Sequence, residues 1–232
     1  MMVTLTPATA ITLVRKNLDE AGLNESVMYT DENNDNLSLD DLVRKNLPEA
    51  INITHLAAPV WLLEGIPYQF SATTRPEGET CQILQGGILE FSPSKASNFL
   101  RLVAFKAADS GIVVTDVLNE ASPEGRKQLN PVIRGRYDRP RLVRLQGEVS
   151  PPRFRYYTLR ESSYNNGTNP AGLIDSFSFV REQAYIPQAS GYDISRLLRQ
   201  NIIDQLTAMV LATYKDQTLQ QYFQGRANSF AE

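Results

Sequence analysis

Ten basic side chains fall within 35 residues of this chain: Arg126, Lys127, Arg134, Arg136, Arg139, Arg141, Arg144, Arg153, Arg155 and Arg160. Only Asp138 and Glu148 oppose them, so the segment carries +8 in a chain of net charge −3. Arginine holds phosphate or carboxylate oxygens two at a time through its planar fork, and a polyanion responds to the local field rather than to total charge. The pattern therefore fits a nucleic acid, or the acidic part of another copy of the chain, and the two uses can coexist. Within the segment, strand alternation over 153–157 places Arg153, Arg155 and Tyr157 on one face and Phe154 and Tyr156 on the other. A basic aromatic face can hold a single strand by stacking and charge. An aromatic strand of a β-sandwich, with its arginines at a subunit contact, gives the same letters.

Other chemistry has little to work with. His55 is the only histidine, so any Ser-His-Asp or Cys-His arrangement must use it, and no glycine-flanked serine elbow accompanies it. Gly86 and Gly87 are followed by Ile88 and Leu89, without the lysine and hydroxyl of a phosphate loop. The acidic run 31–35 lacks the glycine and distal glutamate of a calcium loop. Cys81 is the only cysteine, which excludes an internal disulfide and any multi-cysteine metal site; it reads as a small buried apolar residue beside Ile83. We expect no catalytic residue, no metal, no cofactor and no enzymatic activity.

At 232 residues, 42% hydrophobic and 21% charged, the chain reads as a soluble globular protein of one domain or two joined ones. The first twelve residues show no basic stretch leading into an apolar run, so no signal peptide is expected. No segment approaches the roughly 20 apolar residues of a membrane-spanning helix. We expect a protein made in a cytoplasm and without a membrane partner.

Periodicity predicts helices at both ends and strands between. Thr6 can cap a helix with Pro7 at its first position and Ile11, Val14, Leu18 and Ala21 on one face, ended by Gly22. Ser38 with Asp41 resembles a capping box that opens a second helix, expected to bend or break near Pro48. Residues 13–21 and 42–50 differ at one position, which suits two helices in similar surroundings, as in a helical hairpin. Strand-like runs occupy 68–72, 82–91, 100–106, 112–118, 141–148, 153–159 and 176–181, with a short helix signalled by Ser122, Pro123 and Glu124. Near the end, Ile194, Leu198, Ile202, Leu206 and Val210 recur every four residues, and Leu197, Ile203 and Met209 widen the stripe. Residues 216–232 read as a second helix or a partly ordered arm. The expected fold is α+β: a discontinuous helical domain (1–58 and 185–232) with an inserted β-sandwich or small β-barrel (59–184).

This order of elements resembles the head-to-tail connector, or tail tubular, adaptor proteins of short-tailed bacteriophages. The resemblance rests on residues 87–91, Ser97 to Val103, Val113 to Val117, Ser122 to Gln128, Arg136 to Val143, and a closing stretch from Ile202 to Phe223 with Ala208, Ala212 and Tyr214. It covers about three quarters of the chain as an ordering and includes no catalytic motif. The acidic connection before Ser38 and the polar loop 162–172 lie outside it and suit a more divergent virus, such as the crAss-like phages of gut bacteria. The resemblance implies a virion structural protein of the neck or tail, made in the bacterial cytoplasm. It implies a homo-oligomeric ring of twelve copies between the portal protein and a downstream tail or ring protein, with double-stranded DNA passing through its channel during ejection. On that reading Arg126, Arg134, Arg136, Arg139, Arg141, Arg144, Arg153 and Arg155 meet neighbouring subunits or the portal first, and face DNA second. Leu219, Tyr222, Phe223 and Phe230 become candidates for docking on the portal. The alternative is a cytoplasmic nucleic-acid-binding module that uses the arginine-rich β segment.

Overall fold

The computed structural model describes residues 2–21, 29–30, 36–71, 75–84, 87–108, 111–129, 141–146, 151–157, 170–184, 190–213 and 217–230. The fold is α+β with several antiparallel sheets. In chain order the elements are β1 (Met2–Leu5), α1 (Pro7–Glu20), β2 (Tyr29–Thr30), β3 (Asn36–Leu37), α2 (Leu39–Ala57), β4 (Ile66–Pro67), β5 (Thr80–Leu84), β6 (Ile88–Ser92), β7 (Phe99–Ala107), β8 (Val113–Val114) and β9 (Val117–Asn119). There follow α3 (Pro123–Leu129), β10 (Leu142–Arg144), β11 (Phe154–Tyr157), β12 (Ile174–Arg181), β13 (Tyr192–Ser195), α4 (Arg199–Thr213) and α5 (Gln217–Asn228). The chain divides into two compact units, Met1–Glu64 with Glu182–Glu232, and Gly65–Arg181.

The first unit is helical. Thr6 caps α1 by accepting from the Thr9 N–H, and Pro7 occupies a position whose amide would have no helical partner. Ser38 and Asp41 form the capping box at the start of α2. The helix does not break at Pro48 but runs on to Ala57. Pro48 is itself buried, and Leu47, Ala50 and Ile51 around it are wholly buried, so packing outweighs one lost amide bond. The near-repeat has a structural meaning: Val14 and Leu18 of α1, and Val43 and Leu47 of α2, all lie in the core, where both helices pack on α4. The four-residue recurrence crosses an element boundary. Ile194 belongs to β13, pairing with Val3 of β1, while Leu198, Ile202, Leu206 and Val210 continue it through a 3-10 turn into α4. Gly191 sets up that strand at φ +88°, with Leu5 carbonyl oxygen 2.8 Å from where a Cβ would stand.

In the second unit two sheets share one aromatic core. One has the order β5-β6-β11-β10-β9, in which only β9 and β10 run parallel; the other has the order β4-β12-β7-β8. Seven of the nine phenylalanines lie in the core between them: Phe70, Phe91, Phe99, Phe105, Phe154, Phe177 and Phe179. Phe91 of β6 stacks on Phe105 of β7 with ring centroids 5.2 Å apart, and Phe99 of β7 meets Phe154 of β11 edge-on at 5.5 Å. Cys81 is fully buried in this cluster, where burial pushes its thiol up to about 11. The expected strand at 68–72 is shorter and earlier, at Ile66–Pro67, with Tyr68 N–H still bonded to Phe177 carbonyl oxygen. The tyrosine hydroxyl instead turns to the buried Glu79, which also accepts from Ser71 N–H at 2.9 Å, and this network draws the segment off the sheet.

His55 is 4% exposed near the end of α2, and desolvation lowers its pKa from 6.5 to about 4. The folded helical unit therefore holds the neutral ring. Its contribution is complete above pH 6.5 and is lost as pH falls toward 4, a loss of about 3 kcal/mol at ~1.4 kcal/mol per pKa unit. His55→Gln, which does not titrate there, is expected to show a flatter dependence of melting temperature on pH between 6.5 and 4 than the parent chain. Parallel curves in thermal melts would contradict the burial of a neutral imidazole.

Candidate functional site

The basic residues are placed by α3, β10 and β11. Ser122 Oγ accepts from Gly125 N–H at 3.0 Å to start α3. Gly125 lets the helix seat against the end of β9, since a Cβ there would stand 2.0 Å from Asn119 carbonyl oxygen. Arg126 and Lys127 are thereby held exposed beside the sheet edge. Arg141 precedes β10 and Arg144 ends it, both exposed. That end is fixed by Glu120, whose N–H donates to Arg144 carbonyl oxygen and whose carboxylate accepts from Gln146 N–H at 2.7 Å. Arg134, Arg136, Arg139 and Arg160 lie outside the described residues.

Arg153 and Arg155 meet at one carboxylate. Cross-strand register sets Arg155 opposite Glu90 of β6, and its Nε lies 2.7 Å from Glu90 Oε2; Arg153 Nη1 stands 3.9 Å from Oε1, which also accepts from Gln82 at 3.1 Å. Glu90 is 4% exposed, so Arg155 is committed to neutralising a buried charge. Arg153, Arg155 and Tyr157 share a face as the alternation requires. The face offers no stacking platform, however, because Phe154, Tyr156 and Tyr157 are all buried. Arg126, Arg141 and Arg144 differ from Arg155 in forming no ion pair with a carboxylate among the described residues.

The helical unit carries a groove that the sequence did not reveal. Residues 217–228 form α5, which lies back on α4 rather than extending as an arm. Phe223 is 2% exposed and fills the unit's own core, which removes it from the residues able to dock on a partner; Leu219 and Phe230 are half-buried and Tyr222 is exposed. Asp204 of α4, 2% exposed, accepts from Asn17 of α1 at 3.1 Å and from Gln200 at 3.0 Å, and pairs with Arg226 of α5 at 3.3 Å. Burial raises its carboxyl above the usual range, against the pull of Arg226 and the two amides. Asn201 donates to the carbonyls of Ala227 and Ser229 at 2.9 and 3.0 Å, and so ties down the end of α5.

Above this polar floor opens a groove of about 480 Å³ lined by Trp61, Leu62, Leu197, Gln200, Asn201 and Arg226 among others. Trp61 is 63% and Leu197 65% exposed, so its lips are apolar and bare. Such an arrangement can seat an apolar side chain between two hydrophobic lips and hold its backbone through Gln200 and Asn201. Leu197 was expected in the buried stripe. Leu197 lies in the 3-10 turn Arg196–Leu198 that precedes α4, outside the helical stripe, and this turn buries Leu198 at 0% exposure while leaving Leu197 in solvent.

No group of three or more His, Cys, Asp or Glu among the described residues is placed to hold a metal ion. No helix among them is long and apolar enough to cross a membrane. The run 31–35 lies outside the described residues. No protein-family model matches the chain, and no curated protein matches it.

Asp204→Ala leaves Arg226 and Asn17 without their shared acceptor, and is expected to cost the helical unit about 3 kcal/mol. Leu197→Ser, at an exposed lip, is expected to change stability by less than about 1 kcal/mol. Urea unfolding followed by circular dichroism reads both, and a neutral Asp204→Ala would show that the carboxylate does not organise the unit.

Proposed function

We propose that this chain is a virion structural protein: a subunit of the head-to-tail connector ring between portal and tail of a short-tailed phage, forming part of the DNA conduit. The observation that carries the reading is the division of charge between the two units. The helical unit has eight basic and fifteen acidic residues, a net −7; the β unit has fifteen basic and eleven acidic, a net +4. Opposite signs let the helical unit of one copy attract the β unit of another. A contact between two different surfaces, repeated by rotation, closes a ring. The resemblance in element order supplies the place of that ring and its twelve copies.

Arg126, Arg141 and Arg144, exposed and unmatched by carboxylates among the described residues, are the side chains best suited to neighbouring copies or the portal. A conduit has to release DNA as well as admit it, so a dense lining of arginines would oppose ejection. Burial of all three aromatic rings of β11 removes the stacking surface that a single-strand-binding module would need.

The mass of the purified protein, measured by light scattering and imaged in negative stain with and without candidate portal rings, tests the reading. Rings, or a monomer that assembles on the portal, are expected, with association weakened by added salt. Arg141→Glu with Arg144→Glu is expected to lower assembly about tenfold while leaving the melting temperature unchanged. A chain that stays monomeric at every concentration and ignores portals would sink the proposal.

A further inference from the structure

Among the described residues, two sets of large apolar side chains stand exposed, one on each unit. On the acidic helical unit they centre on the groove lips, Trp61 and Leu197, with Leu56 at 54% and Tyr222 at 57% exposed elsewhere on the same unit. On the basic β unit they are Ile112 and Val113, 44% and 53% exposed. Val113 begins β8, which among the described residues ends the order β4-β12-β7-β8 and so stands at the edge of that sheet. Alternation turns Val114 toward the aromatic core and Val113 away from it.

Edge strands are commonly guarded by charge, usually lysine. The lysine beside this edge does not serve that purpose. Lys106, the cross-strand partner of Val113, is bound to Asp175 at 2.7 Å. The β8 edge thus presents bare aliphatic side chains next to a neutralised pair, the character of a contact surface rather than of a solvated rim.

We propose that the Trp61–Leu197 groove of one copy takes the β8 edge of a second copy, with Ile112 and Val113 seated between the two lips. The occupant is a second copy because the charges match in the same sense as the apolar surfaces: the groove lies on the unit of net −7 and the edge on the unit of net +4. Apolar burial supplies the affinity, and the opposite fields set the pairing of unlike faces. The inference rests on the ring reading and names the contact through which that ring is built.

Complementary blocking tests it. Leu197→Glu spoils the groove and Val113→Glu the edge, and each leaves the other face intact. Thermal melts verify that both fold as the parent does; Trp61→Ser and Ile112→Ser replace either one that does not. Each variant alone is expected to self-associate about 10- to 100-fold more weakly than the parent, in solution or on portal rings. An equimolar mixture is expected to give a 1:1 pair in light scattering, because one good groove and one good edge remain. Parent rings accompanied by normally assembling variants, or by a mixture that stays monomeric, would overturn this contact and leave the ring reading standing. A parent chain that never associates overturns both, whereas a parent that associates through these faces but forms neither rings nor portal complexes overturns the ring reading alone.

Discussion

A carboxylate removed from water must be matched, and in the helical unit the match at Asp204 ties α1 and α5 to α4. An isolated buried charge costs several kcal/mol, so a folded arrangement that leaves Asp204 at 2% exposure has to bring donors to it. Asn17 comes from α1 and Arg226 from α5, residues 187 and 22 positions away. Drawing Arg226 inward lays α5 back along α4, buries Phe223 and Ala227, and brings the end of α5 within reach of Asn201. The groove follows from that closure, since Arg226 and Ser229 complete its lining only when α5 is held there. Arg226 also lies over the Tyr222 and Phe223 rings at 5.7 and 5.4 Å, so the cation that satisfies the buried acid also braces the aromatic pair of its own helix.

The same constraint sorts the arginines of the β unit. Glu90, nearly as buried as Asp204, holds Arg155 and draws Arg153 toward it, whereas Arg126 and Arg144 stand at the β9 and β10 side of the sheet. A dense basic sequence is thereby divided into a part that serves the fold and a part that faces solvent. The aromatic core does the rest. Phenylalanines from β6, β7, β11 and β12 interlock across the two sheets, and this leaves β8, two residues long, with one side chain in the core and one outside.

What could be read from the sequence was local. Thr6, Ser38 and Ser122 announce helix starts because a cap needs only a side chain within three residues of the amide it serves. The hairpin of β5 and β6 follows from alternation around paired glycines. What escaped depends on distant partners. Met2–Leu5 is too short to announce a strand by itself and becomes one because Tyr192–Ser195 lies beside it; Ile194 looked helical because it falls four residues before Leu198. Pro48 looked like a bend or a break because the packing around it is invisible in a periodicity count. Phe223 looked like a docking residue because nothing near it in sequence shows that Asp204 will pull its helix home. Trp61 follows Pro59 in a short 3-10 turn, where no periodicity assigns an inside and an outside.

These placements change how the charge asymmetry should be understood. A net −7 and a net +4 produce a long-range field, but screening at physiological salt reaches only about 8 Å, so charge alone orients an encounter without fixing it. Short-range specificity has to come from surfaces that lose by staying wet. The helical unit has such a surface at Trp61 and Leu197, and the β unit has one at Ile112 and Val113. On the proposed pairing, one such groove and one such edge hold two copies together. In the proposed ring, closure would strengthen that pairing, since the last subunit would gain two contacts for one loss of rotational and translational freedom.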